Sequence, residues 1–259
     1  MRIVIKIGTS TLTHRSGLLN IRRVEHLCKV FSDLKNAGHE LVIVSSGAIG
    51  VGVGKLSLKE KPTDIPTKQA AAAVGQCELM YIYDKLFAEY NHTVAQILIT
   101  GEDIESPKRA KNFHNTIFRL LELGALPIIN ENDTIAVDEI VIGDNDTLGA
   151  IVASTIGADL LILLSDIDGL FTADPQRDPS AKLIPVVEAI TPEMEAVAQG
   201  AGSALGTGGM QTKLAAAKIA TGAGVEMVIA NGTRPDALYD IVEGKPCGTR
   251  FLSKGEKKA

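Results

Sequence analysis

Cysteine is scarce in this chain, and positive charge does not dominate it. The three cysteines, Cys28, Cys77 and Cys247, are widely spaced and form no C-x-x-C pair. That pattern fits a reduced, disulfide-free, cytoplasmic protein. The formal net charge of -5 argues against a general nucleic-acid binder, although it leaves room for a local basic pocket. No apolar run approaches a membrane span, and the opening MRIVIK is too short and too strand-like for a signal peptide. The histidines, at 14, 26, 39, 92 and 114, share no metal-ligand spacing. There is no G-x-S-x-G elbow, so hydrolase chemistry has little support. No internal repeat and no Pro- or Ser-rich linker divides the chain.

What remains is a well-patterned α/β sequence. The 259 residues are 45% hydrophobic, enough for a substantial core. Apolar runs at 2–7, 41–44, 93–99, 127–129, 159–164 and 225–230 read as strands. Helical patterns at 20–36, 66–89, 110–123, 146–156, 191–199, 210–221 and 236–242 separate them. Such alternation is the pattern of a parallel sheet covered on both faces. The economical reading is one domain over 1–252 with a polar tail at 253–259. Hairpin excursions are expected at 136–142 and 170–185.

The polar residues collect at strand ends, where open α/β folds bind ligands. The stretch 127–146, PIINENDTIAVDEIVIGDND, ends one strand in two polar clusters. In it Asp133 is a candidate partner for an ammonium, Asn145 offers a donor and an acceptor, and Asp146 is placed to fix a lysine or to hold a metal-bound water. The plain alternative for Asp144 and Asp146 is capping of the next helix. Lys6, ahead of Gly8, ends the first strand and wants an anion, or else is a surface lysine. Ser45, Ser46, Gly47 and Ala48 form an anion nest or an ordinary turn. The run 206–213, GTGGMQTK, opens a helix, which favours anions at its N-terminus. It is not a Walker A loop. Ser165 and Asp166 stand at another strand end. Several anion donors together with carboxylates fit phosphoryl transfer.

With these segments in family order, the chain resembles the amino acid kinase family. The carrying stretches are IKIGTSTLT (5–13), IVSSGAIGVG (43–52), 127–146, LLSDIDGLFTADP (163–175) and GTGGMQTKLAAA (206–217). The likeness spans 5–251 and is greatest to the branch that phosphorylates free L-glutamate. It implies a three-layer αβα sandwich around a mainly parallel, eight-stranded sheet. It also implies the reaction: ATP plus L-glutamate gives ADP plus L-glutamyl 5-phosphate, the first step of proline biosynthesis. By the same resemblance, Lys6 and Lys213 neutralise the phosphoryl group and Asp146 orients them. Ser46, Asp133 and Asn145 are implied to bind glutamate. Lys6, Ser165, Asp166, Thr207, Gly208, Gly209, Met210, Gln211, Thr212 and Lys213 are implied to bind the nucleotide. Mg²⁺ is expected on ATP oxygens, with no protein metal ligand assigned.

The resemblance further implies proline as a feedback inhibitor and self-association into a homo-oligomer, with no nucleic-acid or membrane partner. Many family members carry a C-terminal domain of the PUA type, and this sequence ends soon after Phe251. Rival substrates in the same fold are acetylglutamate, carbamate, aspartate and uridylate. An acetylated substrate has no cation for Asp133. A non-catalytic sensor of amino acids or nucleotides is expected to lack at least one of Lys6, Asp146 or Lys213, and all are present. The segment 134–142 is expected to form a flap over the substrate.

Overall fold

The first strand shows how the fold is written. In β1 (Arg2–Ile7) Ile3, Ile5 and Ile7 point to one layer of helices, while Val4 points to the other. Side chains alternate along a strand, so Lys6 shares the face of Val4. The computed structural model describes residues 1–14, 16–136, 144–175, 177–199 and 209–253. The expected excursion over 137–142, the loop residues 200–208 with Thr207 and Gly208, and the tail beyond 253 lie outside the described residues.

Elements follow in the order β1, α1 (Thr9–Leu12), α2 (Ile21–Asn36), β2 (Glu40–Ser45), α3 (Ala48–Lys55), α4 (Ile65–Ala88) and β3 (Val94–Ile99). Next come α5 (Gly101–Glu105), α6 (Pro107–Glu122), β4 (Leu126–Glu131), α7 (Asn145–Thr155), β5 (Leu160–Ser165) and β6 (Val186–Val187). The chain continues with α8 (Pro192–Gln199), α9 (Met210–Gly222), β7 (Glu226–Asn231), α10 (Ala237–Val242) and β8 (Thr249–Phe251). The eight strands form one sheet in the order β3-β4-β2-β1-β5-β7-β8-β6. The first six in that order pair in parallel. β8 runs antiparallel to β7, and β6 runs parallel to β8.

Strand order reverses around β1, which pairs β2 on one side and β5 on the other. Such a switch point opens a crevice at the carboxyl ends of the strands. The central strands are buried on both faces because a helical layer covers each. One layer sets Phe31 of α2 and Leu79, Tyr83 and Phe87 of α4 against Ile3, Ile5, Ile43 and Ile162. The other sets Leu148 and Val152 of α7, Leu214 and Ala217 of α9, and Ile117 of α6 against Val4, Val44 and Leu163.

Local chemistry fixes the helix ends. Asn20 caps α2 by accepting from Arg23 N–H, and Asp64 caps α4 by accepting from Thr67 N–H. The expected excursion near 170–185 includes an antiparallel bridge between Phe171 and Leu183. Three short helices, α1, α3 and α5, do not follow from sequence periodicity. In α3 the glycines at 50, 52 and 54 weaken intrinsic helicity, yet the close packing of α3 on α4 requires small residues. A Cβ on Gly52 would lie 1.8 Å from Ala71 O, and one on Gly75 would lie 1.8 Å from Ala48 O. The α3–α4 pair therefore packs backbone to backbone beside the crevice.

Candidate active site

The site is built where β1, β2, β4 and β5 end and where α7 and α9 begin. Asp144 starts α7: its Oδ1 accepts from Asp146 N–H at 2.7 Å and from Thr147 N–H at 2.9 Å. The capping expectation holds for Asp144. Asp146 does something else, because the cap turns it inward, where it is 1% exposed.

Three charged groups meet there. Lys6 Nζ forms an ion pair with Asp146 Oδ1 at 2.6 Å. Lys213 Nζ donates to Oδ2 at 3.0 Å, and Thr212 Oγ1 donates to the same oxygen at 3.1 Å. All three ionic side chains are buried. Strand parity explains the meeting, since Lys6 faces the layer formed by α7 and α9. Gly149, one turn along α7 from Asp146, leaves room for the lysine stem: a Cβ there would sit 3.4 Å from Lys6 Cβ. Burial pushes the Asp146 carboxyl up, but Lys6 and Lys213 outweigh it and hold the carboxyl below its ordinary value. Two ammonium groups converge on one carboxylate in a buried cluster, and cations gathered in this way suit an anion.

The neighbouring residue faces neutral partners. Asn145 Nδ2 donates to Ser46 Oγ at 2.8 Å and to Asn130 Oδ1 at 3.0 Å. Asn130 Oδ1 also accepts from Glu131 N–H at 2.9 Å, and Asn130 Nδ2 donates to Gln76 Oε1 at 3.0 Å. Among the described residues, Asn145 Oδ1 is buried without a hydrogen-bond partner.

Beside these amides gather Glu131, Asp133 and Asp144. Burial pushes the Asp133 carboxyl up to about 6. Burial, together with repulsion from Asp133 and Asp144, pushes Glu131 up to about 7. Burial also raises Asp144, against the hydrogen bond from Thr147 N–H. Among the described residues, none of the three forms an ion pair.

The sequence-predicted residues thus fall into groups. Lys6, Asp146, Thr212 and Lys213 meet directly, and Ser46 and Asn145 meet directly. Asp133 bonds to neither Ser46 nor Asn145 among the described residues; it stands with Glu131. Ser165 and Asp166 are joined by a hydrogen bond of 3.1 Å at the end of β5, the strand beside β1. Gly209 ends just outside α9, Met210 packs against the core, and Gln211 is exposed.

Two expectations need correction. Ser46 N–H is bonded to Ile7 O at 3.0 Å, so this donor does not serve an anion nest, and Ser46 works through its hydroxyl. Gly8 N–H is likewise bonded, to Leu164 O at 3.1 Å. What Gly8 supplies is space beside β5: a Cβ there would come within 3.3 Å of Leu164 O. Sequence reading gave no role to Asn130, Gln76 or the Thr212 hydroxyl. A signal for Gln76 existed, since a glutamine sits on the buried stripe of a helix between Ala72 and Leu79.

The model of the amino acid kinase family matches residues 1–231. The chain belongs to the amino acid kinase family. Within that family it is 54% identical over 257 residues to a protein of Clostridium perfringens named glutamate 5-kinase, covering 98% of this chain and 96% of that protein. A glutamate 5-kinase of Clostridium acetobutylicum is 56% identical over 255 residues, with 98% and 96% covered. The glutamate 5-kinase of Moorella thermoacetica is 52% identical over 253 residues, covering 98% of this chain but 67% of that protein. Amino acid kinase relatives of both lengths therefore occur. A solved structure of carbamate kinase from Giardia lamblia bound to AMP-PNP superimposes with a TM-score of 0.69 at 18% identity, covering 98% of each chain. That likeness supports the amino acid kinase fold.

Proposed function

We propose that this chain transfers the γ-phosphoryl group of ATP to the side-chain carboxylate of L-glutamate, giving L-glutamyl 5-phosphate for proline biosynthesis. The observation that carries the reading is the division of α7's first turn. Asn145 faces neutral hydrogen-bond partners with Glu131 and Asp133 nearby, and Asp146 faces two buried lysines. The naming of several full-length relatives as glutamate 5-kinases supports it.

The acceptor carboxylate is already ionised at neutral pH, so no general base is required. One carboxylate oxygen attacks the γ-phosphorus, the bond to the β,γ-bridging oxygen breaks, and that oxygen leaves on ADP. Two anions must approach each other for this to happen. Lys6 and Lys213 offset the charge that spreads over the transferring group, and Asp146 holds both ammonium groups in place. The N-terminus of α9 adds its positive dipole end on the nucleotide side. Ser165 and Asp166 at the end of β5 and Gly209 to Lys213 at the start of α9 serve as nucleotide-binding groups, together with Thr207 and Gly208. When bound, Mg²⁺ neutralises triphosphate charge, held chiefly by ATP's own oxygens. The paired ammonium groups of Lys6 and Lys213 fit a phosphate-bearing ligand.

On the acceptor side, Asp133 and Asn145 Oδ1 receive the substrate ammonium, with the Ser46 hydroxyl beside them. Proline competes for this subsite as a feedback inhibitor, and the chain works as a cytoplasmic homo-oligomer. The test is a hydroxamate assay with ATP, Mg²⁺ and candidate acids, because hydroxylamine traps an acyl phosphate directly. Product with L-glutamate is expected. Product with N-acetyl-L-glutamate and none with L-glutamate overturns the reading.

A further inference from the structure

The amide groups at the acceptor subsite are not free to choose their direction. Glu131 N–H can only donate, so the atom of Asn130 that faces it must be the oxygen. Asn130 Nδ2 therefore points the other way, at Gln76 Oε1. Asn145 must turn its own Nδ2 toward Asn130 Oδ1 and Ser46 Oγ. The remaining atom, Asn145 Oδ1, is left buried with no partner among the described residues. Such a group is costly unless a ligand completes it. One backbone N–H thus fixes the polarity of three side-chain amides in series and ends the series on an open acceptor.

Gln76 is the far support of that series. It is 8% exposed and lies on α4, outside the strands and helices that carry the catalytic groups. Strand parity brings Asn130 to it: Asn130 shares the face of Ile128, which packs on the layer containing α4. The adjacent Gly75 lets α4 come within backbone contact of α3. Seven residues earlier on α4, Gln69 Nε2 donates to Ala136 O at 3.3 Å, so the same helix also braces the segment after β4.

We infer that Gln76 is a positioning residue for acceptor selectivity: it holds Asn130 so that Asn145 Oδ1 meets the α-ammonium of the substrate. This rests on the reading of L-glutamate as acceptor. Replacing Gln76 with an apolar residue leaves Asn130 Nδ2 unpaired in a buried site. The asparagine is then pulled toward other acceptors, and the end of the series moves. Only an acceptor carrying the ammonium should feel that movement. Glutarate has both carboxylates of glutamate and no amine, so it serves as the control.

The experiment compares the wild type with Gln76→Met, measuring KM for L-glutamate, the inhibition constant of glutarate against L-glutamate, and KM for ATP. In Gln76→Met, KM for L-glutamate is expected to rise about tenfold, the scale of one lost hydrogen bond to a charged group. The glutarate constant and KM for ATP should stay within about twofold, within the usual scatter of such single-contact effects. An unchanged KM for L-glutamate, or an equal rise for glutarate, overturns the inference. If Gln76→Met does not fold, Gln76→Asn, which retracts the amide by one methylene, is held to the same outcomes. Gln76→Glu keeps an acceptor toward Asn130 and is expected to stay within about threefold of wild type. A selective tenfold rise in Gln76→Glu also overturns it. A wild-type protein that forms no hydroxamate from L-glutamate refutes the proposed function itself, a result separate from all of these.

Discussion

Asn145 and Asp146 are neighbours in sequence and opposites in surroundings. Around Asn145 the hydrogen-bond partners are neutral: the Asn130 amide, the Ser46 hydroxyl and the Ser45 carbonyl, with the Gln76 amide and Glu131 N–H behind Asn130. Around Asp146 they are two ammonium groups and a hydroxyl. The amide side gains direction, because each amide dictates which atom the next presents. The ionic side gains field strength, because charges in a dry pocket act with little screening. A carboxyl kinase needs both, direction to choose its acceptor and field to bring two anions together. The helix N-terminus divides them, since successive residues point about 100° apart around the axis.

The sharpest way to break this division is on the ionic side. Lys213→Ala is expected to lower kcat by about 10²–10³-fold with KM for glutamate little changed, measured by steady-state kinetics on the folded variant. Asp146→Asn removes the carboxylate that two buried ammonium groups share. It should lose a comparable factor in kcat and about 3 kcal/mol of stability, read from denaturant unfolding.

The acceptor side should answer in KM. With the Asp133 carboxyl pushed up to about 6, acid converts it to the neutral form that cannot pair with an ammonium. KM for glutamate in the wild type should therefore rise about tenfold from pH 7 to pH 5. In Asp133→Asn that pH dependence should be lost, with a high KM throughout. A pH-independent KM in the wild type removes Asp133 from ammonium binding.

Smaller effects concern stability. Gly75→Ala forces α4 away from Ala48 O and should cost about 1–3 kcal/mol, with KM for glutamate rising and KM for ATP unchanged. Asp133 has a folded-state carboxyl raised above its ordinary value. The stabilisation linked to that raised value is present below the unfolded-state range near 3.8 and is lost as pH rises through about 6. Asp133→Asn should accordingly stabilise the protein at pH 7.5, by about 1 kcal/mol in thermal unfolding, while impairing acceptor binding. A destabilised Asp133→Asn protein would mean that Asp133 has a structural role.

Much of this was legible in the sequence, for identifiable reasons. β1, β2 and β5 are buried on both faces, so they read as unbroken apolar runs. Asn20 and Asp144 cap their helices as residue type suggests. The meeting of Lys6 with Asp146 and Lys213 was expected from the family resemblance, and strand parity gives its physical cause. Other features were hidden. α3 is glycine-rich, and local propensity argues against a helix that tertiary packing enforces. The reversed direction of β8 depends on the turn at Gly248, where φ is +68° and a Cβ would lie 2.0 Å from Ile229 O. The partnership of Gln76 and Asn130 spans 54 positions and carries no periodic signature.

The register of β1 has one more consequence. The strand carries two interleaved messages, one addressed to each layer of helices. Exchanging one aliphatic residue for another alters the spelling of a message and leaves its address intact. Moving the lysine by a single position changes the address. The ammonium would then enter the layer of Phe31, Leu79 and Phe87, far from the carboxylate that waits for it on α7. Whether a chain with these motifs is an enzyme thus depends on counting as much as on content. A sequence could keep every motif letter and be silenced by one residue inserted between Val4 and Ile5.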